Sequence, residues 1–533
     1  MWLVMWTVFL FTFPLVFYIF YFSKEKFSLL LTEFFGGGGY NYVTILLLGG
    51  LSMSEFSQLL SDHIHNKKIT IYALAQYCNV DRSSIYKIIR GKRLPSTIST
   101  IEQISEFIHL TPLEHEELLE AYQITLIGAD NYYRRKDVMN FLTNFAENTR
   151  SVPIHYSIAD FTEQFPDVST LSGSFDVSQC VMSLMLKEIS QPEGHLDLLI
   201  QPDFSPAIDF LSHMKQTANS FSVDHIISFN NTKQVTPSKK DYNLHCLQSI
   251  LPLYSCSYQY RSFYYYDNIL TNSHMFQLFP YMILTSSHAI LLSGDTQKGI
   301  VFKQPEMLDF FRCIFSEYKT ASKSLLQRVG DPFSLLNCIS PILSKATSTD
   351  YSFQMMPCLS HLLPTSFLEK YLCEDSIDKN ALISLFQAHQ NGLSQRYAKS
   401  NSVFFFSEDG IRTFLETGRF VEYPNTIYQP FEKKDCAFLI QQMLNAKDQF
   451  QYKMLKENIG SVPYGANIYI GQNSGYLIFV DSESEQHVFL NIEEPSLLLA
   501  FQDFFENMDD ALFYSEEELT SRLSYLVEEA MNP

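Results

Sequence analysis

The chain has 533 residues, 46% of them hydrophobic, enough to bury several cores, and the length suggests about three domains. A formal net charge of −20 excludes a surface that attracts nucleic acid over its whole area, so any such contact has to come from a local basic patch. Nine scattered cysteines, odd in number and without a C-x-x-C pair, argue against a disulfide frame or a zinc ribbon and fit reduced thiols in a cytoplasm.

Residues 1–52 read as an apolar leader. Trp2 to Phe22 is an apolar run interrupted by Pro14, long enough to cross a bilayer as a helix, and Lys24 and Lys26 follow it. Taken literally, this predicts a membrane anchor whose C-terminal side lies in the cytoplasm. No small-residue cleavage site marks a signal peptide. Met53 offers another start: it opens a polar, helix-forming segment, and codons for Gly49-Gly50 can spell a purine-rich ribosome-binding sequence just upstream. The expectation is a start at Met53 and a cytoplasmic protein, membrane-anchored only if residues 1–52 are translated. N-terminal mass spectrometry separates the two.

Residues 54–128 read as helices throughout. The first, 54–66, puts Phe56, Leu59, Leu60, His63 and Ile64 on one face. Thr70 caps a second, 71–78, with Ala73, Leu74 and Tyr77 periodic and Ala75 small where helices cross. Asn79 stands at a turn that asks for left-handed backbone, Val80 plugs it, and Asp81 caps a third helix, 82–90. Ile85 and Ile88 face inward, which leaves Arg82, Ser83, Ser84, Tyr86 and Lys87 outward. Gly91 ends the helix and Lys92-Arg93-Leu94-Pro95 leads out. Seven Lys or Arg between Lys67 and Arg93 face a single acid, Asp81, making a basic island in an acidic protein. Ile98, Ile101, Ile104 and Phe107 or Ile108 mark a fourth helix. Thr111-Pro112 starts a fifth, acidic at Glu114, Glu116, Glu117 and Glu120.

Thr70, Leu74-Ala75, Val80, Arg82-Ser83-Ser84-Ile85 and Gly91-Lys92-Arg93 followed by Pro95 resemble the Cro/C1-type helix-turn-helix family, the lambda-repressor-like regulators also called the XRE family. The resemblance covers only residues 54–128. It departs in two places. Asn79 replaces the usual turn glycine, and Ile64 and Ile89 stand where the family often pairs an arginine with a glutamate. An apolar pair in place of a buried ion pair is commonly neutral or stabilising. The resemblance implies a bacterial-type, sequence-specific transcriptional regulator whose third helix enters the major groove of double-stranded DNA. Arg82, Ser83, Ser84, Tyr86 and Lys87 are then the base-reading candidates, with Arg82 able to grip guanine O6 and N7. Thr70, Arg90, Lys92 and Arg93 would hold phosphates. The acidic fifth helix would point away from DNA. Paired half-sites imply a homodimer.

Beyond Gly128 a short link, 131–136, is expected to lead into a helix near 137–147. Strands are expected at 196–201, 223–230, 257–266, 281–285, 288–293 and 299–303, and helices near 176–189, 205–218, 241–252 and 305–328. A second unit, 341–533, is expected to carry helices near 379–398, 408–417 and 433–456, strands at 467–471, 475–480 and 487–492, and helices at 495–508 and 516–530. Residues 288–315 and 475–505 each run strand, turn, strand, proline, helix, and Pro305 matches Pro495. Met307, Leu308, Phe311, Ile314 and Phe315 match Leu497, Leu498, Phe501, Phe504 and Phe505, one apolar stripe used twice. The expected fold is therefore a multidomain chain: an all-α, lambda-repressor-like head, then a large α/β (α+β) body, 129–340 and 341–533, with a candidate internal duplication enclosing a ligand site.

Phosphate-loop, dinucleotide, zinc-protease and nucleophile-elbow motifs are missing from the sequence. His63 and His65, two apart, lie on different helix faces, and no catalytic residue, metal site or cofactor is expected. Asp481, Glu483 and Glu485 read as a solvated turn, and Tyr264, Tyr265 and Tyr266 as strand-face packing. The body is then a sensor or dimerisation region for an unknown small-molecule or protein effector, and the protein is not an enzyme. The rivals are a membrane-tethered regulator anchored by residues 2–22, and an enzyme or interaction scaffold carrying a regulatory helix-turn-helix head.

Overall fold

A computed structural model describes residues 53–148, 166–214, 221–230, 241–267, 278–329, 331–345, 347–373, 379–397, 400–420, 423, 425, 427–480 and 486–532. The leader and the 481–485 turn lie outside the described residues, as does the end of the 205–218 helix. Among the described residues no helix is long and apolar enough to cross a membrane. The chain divides into two compact units, Met1–Ala129 and Asp130–Pro533.

The first unit contains α1 (Glu55–Asn66), α2 (Ile71–Tyr77), α3 (Arg82–Ile89), α4 (Ile98–Phe107) and α5 (Pro112–Ile127). Their apolar positions meet in one core that includes Phe56, Leu60, Leu74, Ile85, Ile88, Ile101, Ile104 and Leu118. Phe56 meets Tyr122 edge-on at 5.6 Å, and the Tyr122 hydroxyl donates to the Pro95 carbonyl at 3.2 Å. Ser54 caps α1, and Thr111 with Glu114 forms a capping box on α5.

The second unit opens with α6 (Ala129–Thr143) and α7 (Phe145–Asn148). The expected link at 131–136 is instead the first half of α6. Arg134 is buried there, and Arg135 makes a bidentate ion pair with Asp503 at 2.7 and 2.8 Å, so this charged stretch docks instead of crossing solvent.

Two mixed sheets follow. The first path is β1 (Val168–Ser172), α8 (Ser174–Ile189), β2 (His195–Leu199), α9 (Ser205–His213), β3 (Ser222–Asn230), α10 (Tyr242–Ile250) and β4 (Gln259–Asp267). It continues through β5 (Tyr281–Leu284), β6 (Ala289–Leu292), β7 (Lys298–Phe302), α11 (Pro305–Ala321) and β8 (Lys323–Ser324). The second path is β9 (Leu326–Val329), α12 (Pro332–Leu343), β10 (Thr349–Phe353), α13 (Thr365–Tyr371), α14 (Lys379–Tyr397), β11 (Asn401–Ser407), α15 (Glu408–Thr417), α16 (Lys433–Asn445) and β12 (Gln451–Leu455). It ends with β13 (Asn467–Ile470), β14 (Gly475–Val480), β15 (His487–Ile492), α17 (Pro495–Glu506) and α18 (Glu516–Met531).

The first sheet has the order β1-β7-β6-β5-β2-β3-β4-β8, and the second reads β9-β15-β14-β13-β10-β11-β12. In each, three consecutive strands joined by helices run parallel, and the remaining pairs are antiparallel. Helical crossovers between parallel strands are right-handed as a rule, so α9 with α10, and α13 to α16, cover corresponding faces. The same path is thus traced twice, with β8 as an addition to the first sheet. Only Leu325 separates β8 from β9, so the change of sheet comes before residue 341.

Three expectations change. The 305–328 helix stops at Ala321, because Leu326 and Val329 turn inward while Gln327 and Arg328 pair outward against β15. The 433–456 helix stops at Asn445, and β12 pairs parallel with β11. Strands β1, β10 and β11 and helices α12 and α13 form where no element was expected.

Candidate nucleic-acid interface

The α2–α3 turn is built from local chemistry. Asn79 takes φ +50°, the left-handed backbone its position asks for. The Val80 N–H donates to the Ala75 carbonyl at 3.0 Å and closes the turn. Asp81 accepts from the Ser84 N–H at 3.2 Å and from the Ser83 hydroxyl. The Ser83 hydroxyl, chiefly, holds the Asp81 carboxyl below its usual range. Thr70 occupies the position before α2 but makes no capping bond, so its expected capping role is corrected; its side chain is exposed.

At the far end of α3, Gly91 turns at φ +69°, and the Lys92 N–H reaches the Lys87 carbonyl at 2.8 Å. The Ser57 hydroxyl on α1 donates to the Ile88 carbonyl at 2.8 Å and fixes α3 on the core. Ile89 packs against the cluster that holds Ile64, in keeping with the apolar exchange read from the sequence.

The structure leaves Arg82, Ser83, Tyr86, Lys87, Arg90, Lys92 and Arg93 exposed and Ser84 half-buried. Spacing alone did not show how Tyr86 organises this face. The Arg82 guanidinium lies 5.6 Å from the Tyr86 ring and that of Arg90 lies 5.7 Å from it, so one ring holds an arginine on either side along α3. The i, i+4, i+8 spacing of the three was the available signal. Ser83 keeps only its lone pairs for a partner, because its proton goes to Asp81.

Lys67 leaves the basic island. Its ammonium donates to Glu114 at 2.9 Å and to the His109 carbonyl at 2.8 Å. Glu114 is held down at about 2, first by the Thr111 N–H and then by Lys67. Lys68, Arg82, Lys87, Arg90, Lys92 and Arg93 form no salt bridge among the described residues.

In the second unit one charged row crosses the first sheet. Asp197, Asp224 and Arg261 are register partners on β2, β3 and β4. Asp224, 2% exposed, takes Arg261 at 2.5 and 3.0 Å and Lys319 of α11. His195 bonds Asp197 at 3.0 Å, which raises its pKa, and Ser222 at 2.7 Å. His195, Asp197 and Asp224 are spaced closely enough to ligate a metal ion, but Arg261 and Lys319 already neutralise Asp224. His63 and His65 join no such group among the described residues.

No family model matches the chain, and neither does any curated protein. Three solved structures are weakly similar. TrmBL2, an archaeal chromatin protein described with a novel mode of DNA binding, is 9% identical over 44% of this chain and 73% of its own, with a TM-score of 0.20. Polyphosphate kinase from Porphyromonas gingivalis is 9% identical over 73% of this chain and 61% of its own, with a TM-score of 0.20. Phosphatidylserine synthase of Haemophilus influenzae Rd KW20 is 8% identical over 74% of this chain and 97% of its own, with a TM-score of 0.21. Likeness at this level carries no argument about fold or activity.

Proposed function

We propose that this protein is a sequence-specific, DNA-binding transcriptional regulator of the Cro/C1 type and not an enzyme. One observation carries the reading: α3 presents Arg82, Tyr86 and Lys87 outward, continuous with the exposed Arg90, Lys92 and Arg93 that follow it, on a protein whose net charge is −20. In the major groove, Arg82 and Lys87 read base edges, with Ser83, Ser84 and Tyr86 beside them. Thr70, Arg90, Lys92 and Arg93 hold phosphates. Two heads act as a homodimer on paired half-sites, in the cytoplasm, and the large body answers to an effector by favouring one arrangement of the heads.

The test is a mobility-shift titration over a range of salt, on sites first enriched from random duplexes. Arg82→Ala and Lys87→Ala lose about ten- to hundredfold on the selected site and little on unrelated DNA. Lys92→Ala weakens binding on every sequence and reduces the salt slope by about one. Equal binding by wild type and Arg82→Ala removes the recognition-helix assignment.

A further inference from the structure

The two paths differ in what joins their parallel strands. Among the described residues a single α-helix joins each pair in the first path, α9 between β2 and β3 and α10 between β3 and β4. In the second path the helices are doubled, with α13 and α14 before β11 and α15 and α16 before β12.

Where the second path doubles its helices, the space is not filled. A cavity of about 60 Å³ lies there, room for roughly four to six water-sized groups. Leu368 and Tyr371 of α13, Leu382 and Phe386 of α14, and Tyr428 and Phe431 between α15 and α16 stand in its wall. The polar side chains of the lining are all tyrosines, and two of them turn their hydroxyls to the protein. Tyr371 donates to the Asp435 carboxylate and accepts from the Glu432 N–H at 3.0 Å. Tyr428 donates to the Phe420 carbonyl at 3.0 Å and accepts from the Phe420 N–H at 2.7 Å. Among the described residues no lining side chain carries a buried polar atom without a partner. A water molecule needs roughly two to four polar partners, and these walls present it with carbon. Carbon facing a void forfeits its dispersion contacts, so an apolar occupant restores what the doubled helices leave unmade.

The lining is half-buried at Phe367, Leu372 and Tyr423, the side nearest solvent. A ligand can enter there by an apolar end and keep a polar end in water. We propose that this cavity takes the hydrocarbon end of a small amphiphile, an unbranched chain of about four to six carbons, with its polar group outside.

Calorimetric titration of the full chain with 1-alkanols from butanol to decanol tests this without DNA, so its outcome is independent of the DNA reading. Affinity should rise about fourfold with each added carbon while the chain is still entering the cavity, up to about hexanol, and level off beyond it. 1,6-Hexanediol, which presses a second hydroxyl against the carbon wall, should bind about tenfold or more weakly than 1-hexanol. Leu368→Phe and Leu382→Phe, each adding bulk to the wall, should weaken 1-hexanol binding about tenfold or more. The alkanol series decides where a variant fails to fold. Absence of saturable alkanol binding, an affinity that climbs unbroken to decanol, equal binding of the diol, or wild-type affinity in both folded variants overturns the proposal.

Discussion

The two sheets of the body follow one path but place their charged residues on different faces. The first sets Leu196, Leu198, Val223, Ile283 and Ile290 beneath α8 to α10, beside the buried His225–Tyr260 pair, and carries Asp197, Asp224 and Arg261 on its other face, beneath α11. The second is polar beneath α12 and α14, while the face toward α17 is lined by Phe353, Phe405 and Phe479. The final helices differ in the same sense. In α17 both sides are covered, and Ala500 and Phe501 are fully buried. In α11 the matching Phe310 is 57% exposed, and Phe311 is 8% exposed. A shared backbone path therefore sets where side chains point, and the residues decide which of the two faces holds charge.

That contrast can be broken most strongly at α17. Phe501→Ala should destabilise the body by about 4 kcal/mol in chemical denaturation, with a smaller loss for Phe311→Ala, because only the first leaves a cavity walled on all sides. Equal losses would mean that the two helices are equally enclosed. Next comes the charged row. Asp224→Ala removes the buried partner of Arg261 and Lys319, whose own charged ends reach solvent, and should cost about 1–2 kcal/mol, while a pair of wholly exposed charges would lose under 1.

The pH dependence sharpens the same row more gently. His195 gains affinity for its proton from Asp197, so its folded pKa lies above 6.5. Its contribution is complete below the unfolded value and is lost as pH rises through the folded one. Denaturation midpoints should therefore fall above pH 6.5 in the wild type and flatten in His195→Gln; an unchanged profile would mean that His195 stays neutral. The smallest effect belongs to Phe310→Ala, within about 0.5 kcal/mol, since its ring is mostly in solvent.

The bounds of α3 and the turn before it were readable from the sequence because their determinants are contiguous: Asn79, Asp81 and Gly91 each fix their own backbone within a few residues. Its electrostatics were less so, because the partner of Lys67 lies 47 residues away at Glu114. In the body, β10 escaped notice because Asp350 and Ser352 stand at inward-facing places and break the apolar alternation that marks a half-buried strand. Gln451–Leu455 consists of residues that a helix also accepts, and only pairing with β11 makes it a strand. The row of Asp224, Arg261 and Lys319 spans 95 residues, and nothing local announces it.

The Arg135–Asp503 clamp has a consequence for how the chain is made. Phe56 on α1 is tied to Thr125 within the same short segment, so the head closes as soon as its own helices are available. The body waits: α6 buries Phe141 against Phe501, and Arg135 finds Asp503 only when nearly all of the chain has been synthesised. A nascent chain therefore carries a finished head beside an unfinished body, and a protein cut short before residue 503 exposes the apolar side of α6 to chaperones and proteases.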